Sequence, residues 1–335
     1  MNVMRRAGFL VLLPVLVLAT AAQSAERVKM TIAVESLAFF PLYVARGLEY
    51  FREEGLELEV ISTGGGGPDV QALIAGNVEF TIAAGTYQIS AYQEGRPLLG
   101  VFSLLNRNII NLVLHREVAR QRGVTPESPL AQKLRALKGL TIGITRPGAL
   151  TDQVARYHLH RAGLDPARDV RIIGAGAGPA LVAALEQRKI DVLVQSTPVP
   201  ETAVRRGLAI MLVNNSAGED PALAEFMMEL LLVRPDYARQ QADTVRRAVR
   251  ALHRANRWIR EQTAEAAQKV IQRYFAKTPP ETLLGGIRSV REAVSRDGLV
   301  SERALRITLE VIEETGQLKR RPTLAEVFTP EFLPR

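Results

Sequence analysis

Cysteine is absent from all 335 residues. That excludes disulfides, thiolate metal sites, cysteine nucleophiles and a lipid-modified N-terminal cysteine. Aromatic residues make up only 5% of the chain, with one tryptophan, Trp258, too few for a base-stacking platform. There are four histidines. His158 and His160 stand two apart, so on a helix they face different ways and cannot chelate as an i, i+4 pair would. His115 and His253 are isolated, and all four read as surface or packing residues. Catalytic signatures are missing too. Gly174-x-Gly176-x-x meets Pro179 where a dinucleotide fingerprint needs glycine, neither glycine run precedes a lysine, and no GxSxG occurs. Asp152 near His158 has no placed nucleophile to serve. The expectation is a protein without catalytic residues, cofactor or metal.

What is present is ordinary globular composition, 47% hydrophobic and 23% charged, long enough for about two domains. The net charge is +8. The densest basic run, Arg246, Arg247, Arg250, Arg254, Arg257 and Arg260, alternates at helical spacing with Val245, Val249, Leu252, Ala255 and Ile259. It reads as the wet face of an amphipathic helix, and no nucleic-acid partner is expected. Residues 1–25 differ from the rest. Arg5 and Arg6 precede an apolar stretch, Ala7 to Ala22, interrupted by Pro14 and followed by small residues through Ala25. The stretch is short for a membrane span and reads as a cleaved secretory signal peptide, which implies a periplasmic protein; a retained membrane anchor is the alternative.

The chain also repeats itself at an offset of about 110 residues. Met30–Val34 resembles Leu140–Ile144, and Val44-Ala45-Arg46 resembles Val154-Ala155-Arg156. Val60-Ile61 and Ile172-Ile173 each precede a glycine run and a proline, and Val78–Ile82 resembles Ile190–Val194. Each copy reads as strand, helix, strand, glycine turn, helix, strand, with short apolar β-branched strands typical of a buried parallel sheet. Two α/β lobes follow, each a βαβ-type parallel sheet with helices on both faces. Strand-like Ala209–Val213 and Met228–Val233 come next. Helical segments at 235–274, 280–295 and 301–315 are expected to return to the first lobe. The chain would then cross twice, near Asn106–Asn108 and Asn214–Asp220, and two crossings make a hinge around a cleft. The expected division is 26–107 plus 222–335 for lobe I and 108–221 for lobe II.

In such lobes ligands bind beyond the carboxyl ends of the strands. The residues there are Glu35, Ser36, Leu37, Phe39 and Phe40; Gly65, Gly66 and Gly67; Gly85, Thr86 and Tyr87; and Arg107 at the crossing. From the second lobe come Arg146, Gly148, Ala149 and Thr151; Gly176, Ala177 and Gly178; and Gln195, Ser196 and Thr197. Both glycine runs end in a proline suited to the first helical position. Their free N–H groups and the helix dipole would suit a sulfonate, nitrate or carboxylate. Tight strand–helix turns are the bland alternative for the glycines. Glu35 would repel an anion unless Arg146 or Arg107 compensates; alternatively it accepts from a ligand amine, or points outward.

The motifs Pro41–Leu48, Glu53–Leu56, Gln71–Phe80, Leu137–Gly143, Ala183–Leu185 with Lys189–Asp191, and Val327–Leu333 together resemble the substrate-binding proteins of ABC importers for nitrate, sulfonates and taurine. That group also includes binders of thiamine-pyrimidine precursors. The resemblance implies a two-lobed, periplasmic-binding-protein-like fold of type II, a small-molecule ligand held by hinge closure, and docking on a membrane permease with its ATPase. A monomer is expected. The rival expectations are a small-molecule lyase or synthase on the same fold, marked by an acid–base pair in the cleft, a binder of a pyrimidine-type precursor, and a sensory partner of a membrane receptor.

Overall fold

A computed structural model describes residues 25–316 and 318–334; the leader expected over residues 1–25 lies outside them except for Ala25. The described chain forms two five-stranded sheets. The first has the order β2-β1-β3-β10-β4, with β1 Glu26–Ile32, β2 Leu56–Ser62, β3 Phe80–Ala83, β4 Leu99–Leu105 and β10 Glu229–Val233. The second has the order β7-β6-β8-β5-β9, with β5 Ile110–His115, β6 Thr141–Ile144, β7 Arg171–Gly174, β8 Val192–Ser196 and β9 Ala209–Val213.

The registers are evidence of duplication. Met30 pairs with Val60 and Phe80, whereas Ile142 pairs with Ile172 and Val192, so the partners lie 30 and 50 residues on in both sheets. The same side-chain clamp also recurs: Glu79 Oε2 accepts from Lys29 N at 2.6 Å, and Asp191 Oδ2 accepts from Thr141 N at 2.9 Å. These pairs set the offset at 112. The matches at Val60 and Val78 have that offset, whereas the match of Met30 to Leu140 is two residues short. A slip of two keeps every side chain on its own face, so the hydrophobic pattern does not reveal it.

Three neighbouring strands of each sheet are parallel, as expected; β10 and β5 run antiparallel to their neighbours. In the two sheet orders β4 stands where β9 does and β5 where β10 does, but the sequence matches end at Ile82 and Val194, and sequence reading assigned no strand at β4 or β5. The inner strands β3, β8 and β10 are buried throughout and β1 is buried from Met30 on, while in the outermost β2 buried or half-buried residues mostly alternate with exposed ones. The chain passes from the first sheet to the second over residues 106–109 and returns over 214–228. The two passages are hydrogen-bonded side by side: Phe226 N donates to Asn106 O at 2.8 Å and Asn108 N to Leu223 O at 3.1 Å.

The helix Ala242–Glu261 buries Val245, Ala248, Val249, Leu252, Ala255 and Ile259 against the first sheet and the helix Phe40–Gly47. Its arginines are less solvated than the sequence suggested. Arg247 pairs with Glu26, Arg250 with Glu54 at 2.7 Å and Arg254 with Glu53 at 2.5 Å. The basic face therefore stitches this helix to the first lobe, and little free cationic surface is left there.

Candidate functional site

Between the two sheets lies a cavity of about 60 Å³ with walls from both. The turn after β1 and the start of the helix Pro68–Ile74 close one side; the loops after β6 and β8 close the other. Direct bonds join the two sides at its rim. Ser36 Oγ lies 2.7 Å from Ser196 Oγ, Leu37 N donates to Thr197 O at 3.2 Å, and Leu150 N donates to the Tyr87 hydroxyl at 2.8 Å. Farther out, Arg205 pairs with Glu281 and His160 with Glu314, again from one sheet's helices to the other's.

Of the residues expected at the cleft, Ser36, Phe39, Gly65, Gly66, Tyr87, Ala149, Thr151, Gln195 and Ser196 line this cavity. Gly67, Arg146 and Gly148 line a neighbouring cavity of about 210 Å³ that shares Gly66 and Tyr87 with the first. The two are partitioned by the Tyr87 ring, which lies so close to Gly66 that a Cβ there would sit 2.3 Å from the ring carbon bearing the hydroxyl. Glycine at 66 is therefore a matter of contact, not of backbone angle.

The other expected residues are elsewhere. Glu35 is exposed and outside the cavity wall. Leu37 and Phe40 are core, where the turn enters its helix. Gly85 abuts Met227, and Thr86 is buried behind it. Arg107 lies in the first passage and donates to Ser216 O at 3.3 Å. Thr197 is one residue beyond the wall, bonded to Glu201 at 3.0 Å. Gly176 is exposed, Ala177 and Gly178 are half-buried, and none of the three lines either cavity.

Within the first glycine run the N–H of Gly67 is not free for an anion. Asp69 Oδ1 accepts from Gly67 N at 2.6 Å and from Val70 N at 2.9 Å. In the turn after β6 of the second sheet, Asp152 Oδ2 accepts from Gly148 N at 2.9 Å. Each helix start is thus occupied by a carboxylate of its own first turn, the usual satisfaction of these orphan donors.

Sequence reasoning missed two wall residues that carry charge, Asp69 and Glu229. Asp69 stands right after Gly64–Pro68. Glu229 opens the otherwise apolar strand Glu229–Val233, and an acid inside such a run was the available signal. Both are buried, at 0% and 5% exposure. Asp69 Oδ2 and Glu229 Oε2 have no hydrogen-bond partner among the described residues. Burial pushes the Asp69 carboxyl up to about 6, against the bonds from Val70 and Gly67 and the charge of Arg146. Burial and then the Asp69 charge raise Glu229 well above the usual range. Thr145 and Thr151 supply hydroxyls 2.7 Å apart, and Met228, Ala83, Ala84 and Ile110 add apolar wall. Among the described residues no cluster of His, Asp and Glu could hold a metal ion.

Comparison with known proteins agrees with this architecture. The Bacillus subtilis (strain 168) protein YtlA, named as a candidate binding protein, is 21% identical over 314 residues, covering 92% of this chain and 90% of that one. A solved protein of Bordetella bronchiseptica RB50 superposes with a TM-score of 0.78 at 22% identity, covering 91% of this chain and 95% of that one. The periplasmic nitrate-binding protein NrtA of Synechocystis PCC 6803 gives a TM-score of 0.70 at 16% identity, over 92% and 87%. The two-lobed periplasmic-binding-protein fold expected from the sequence is therefore the fold of this chain. A family model matches residues 23–274, most of its length, and the chain belongs to the NMT1-like family.

Proposed function

We propose that this chain is an exported solute-binding protein of an ABC importer, which captures a small polar molecule between two lobes and presents the closed form to a membrane permease with its ATPase. The observation that carries this reading is the cavity itself, walled by loops of both sheets that bond directly across its rim. Lobe I comprises residues 26–107 and 222–335, and lobe II residues 108–221. The paired passages at 106–109 and 214–228 are the hinge. A ligand touching both walls stabilises the closed state by population shift. The likeness to nitrate-binding NrtA supports a small polar solute and a periplasmic setting. Binding without turnover is proposed, with the protein acting as a monomer.

A thermal-shift screen of the chain from Glu26 tests this, with small sulfonates, nitrate, carboxylates, amines and pyrimidines as probes. A ligand at about a hundred times its Kd adds about 2.7 kcal/mol. Mass spectrometry of the recovered ligand completes the test, and failure of every probe to shift Tm would overturn the reading. An enzyme is the second reading, because Asp69 and Glu229 are two carboxyls of raised pKa facing one cavity, the pattern of an acid–base pair. A ligand recovered chemically altered would establish it.

A further inference from the structure

We infer that the ligand presents a cationic or N–H-rich nitrogen, of the amine or amidine class, to Glu229 and Asp69. This deepens the solute-binding reading and rests on it. The argument is one of donors and acceptors. Five backbone donors near the cavity are already engaged: Leu150 N on Tyr87, Gly148 N on Asp152, Thr145 N on Thr151 Oγ1, Gly67 N on Asp69 and Ser196 N on Gln195 Oε1. Glu229 Oε2 and Asp69 Oδ2 are buried acceptors with no partner among the described residues. Leaving such groups unmet is costly, and a donor arriving with the ligand removes the cost.

The nearby cation does not fill this role. Arg146 lies over Gly65 and Gly67, with its Nη2 only 2.6 Å from where a Cβ of Gly67 would be, and it lines the neighbouring cavity instead of this one. Size agrees with a compact group, since about 60 Å³ holds roughly four to six water-sized atoms at about 10–15 Å³ each. The titratable and charged groups facing Glu229 and Asp69 are each other, Tyr87 and Arg146.

A buried carboxyl that has kept its proton can donate to an oxyanion instead, and pH separates the two cases. A cation displaces the proton, so its affinity rises from pH 5 to pH 8 and binding releases protons. An oxyanion needs the protonated acid, so its affinity falls over the same range. The probes are acetamidinium and ethanolamine against nitrate, acetate and methanesulfonate, titrated calorimetrically in buffers of different ionisation heat. Expected are binding of acetamidinium or ethanolamine that strengthens with pH, with proton release, and at least tenfold weaker binding in Glu229→Gln and Asp69→Asn. If either variant fails to fold, the wild-type pH profile and proton count decide. Preference for the anions, or amine binding that weakens with pH, overturns the inference and leaves the solute-binding reading intact. Silence of both probe sets here and in the wider screen overturns both.

Discussion

Asp69→Asn removes one charge from the wall of the cavity while leaving Oδ1 to accept from Gly67 and Val70. The size of the effect follows from burial. The Asp69 carboxyl lies at about 6 in the folded chain against an ordinary 3.8, and one unit is worth about 1.36 kcal/mol. A folded-state value above the unfolded one means that the fold prefers the protonated acid. No penalty applies below pH 3.8. As pH rises through about 6 the penalty grows to about 3 kcal/mol and then stays level. Urea unfolding of ligand-free wild type and Asp69→Asn at pH 4, 5, 6, 7 and 8 measures this. The variant should gain on wild type by about 2.4 kcal/mol between the two ends, since part of the penalty is already present at pH 4. Relief of Glu229, whose carboxyl the Asp69 charge helps to raise, adds in the same direction. A difference that stays flat within about 1 kcal/mol, or a wild type that gains on the variant over this range, would refute the burial argument.

Gly66→Val drives a side chain into Tyr87; it should abolish ligand binding and cost about 1–3 kcal/mol by overpacking, as calorimetry and urea unfolding would measure. Gly176→Val, outside both cavities, should leave ligand affinity unchanged. Tyr87→Phe removes the acceptor of the Leu150 N–H that crosses between the sheets and should weaken ligand binding by about 1 kcal/mol, with little change in far-ultraviolet circular dichroism. His158 is fully buried beside Asn215 and Asp220, and desolvation holds it down to about 4 despite the Asp220 charge. Its imidazole resonances should show no protonation at pH 6, and stability from this group, complete above pH 6.5, should be lost as pH falls toward 4.

The lobes were legible because the strands of a sheet covered on both faces must be short apolar runs, and because a duplicated chain repeats them in order. The first three strands of each sheet could be placed in that way. The antiparallel strands β5 and β10, and β4 beside β10, were harder to place, since partnership between strands far apart in sequence leaves no local trace. The same division applies to the site. Loops after strand ends could be named, and Ser36, Gly66, Tyr87, Thr151 and Ser196 do meet at one cavity. Glu229 comes to that cavity only through β10, which pairs between β3 and β4. The glycine runs looked alike, yet only one turn lies against the opposite lobe. Its difference rests on contacts with Tyr87 and Arg146 that no spacing encodes.

The placement of β10 also sets an order of completion during synthesis. All five strands of the second sheet lie within residues 110–213, so that sheet can close as soon as that stretch has emerged. The first sheet begins at Glu26, but its position between β3 and β4 stays open until Val233 has been made. For well over a hundred residues of growth, β3 and β4 each present an edge whose partner does not yet exist, the kind of edge that recruits wrong partners. The lobe that starts first is finished last, and the strand that finishes it brings Glu229 to the cavity.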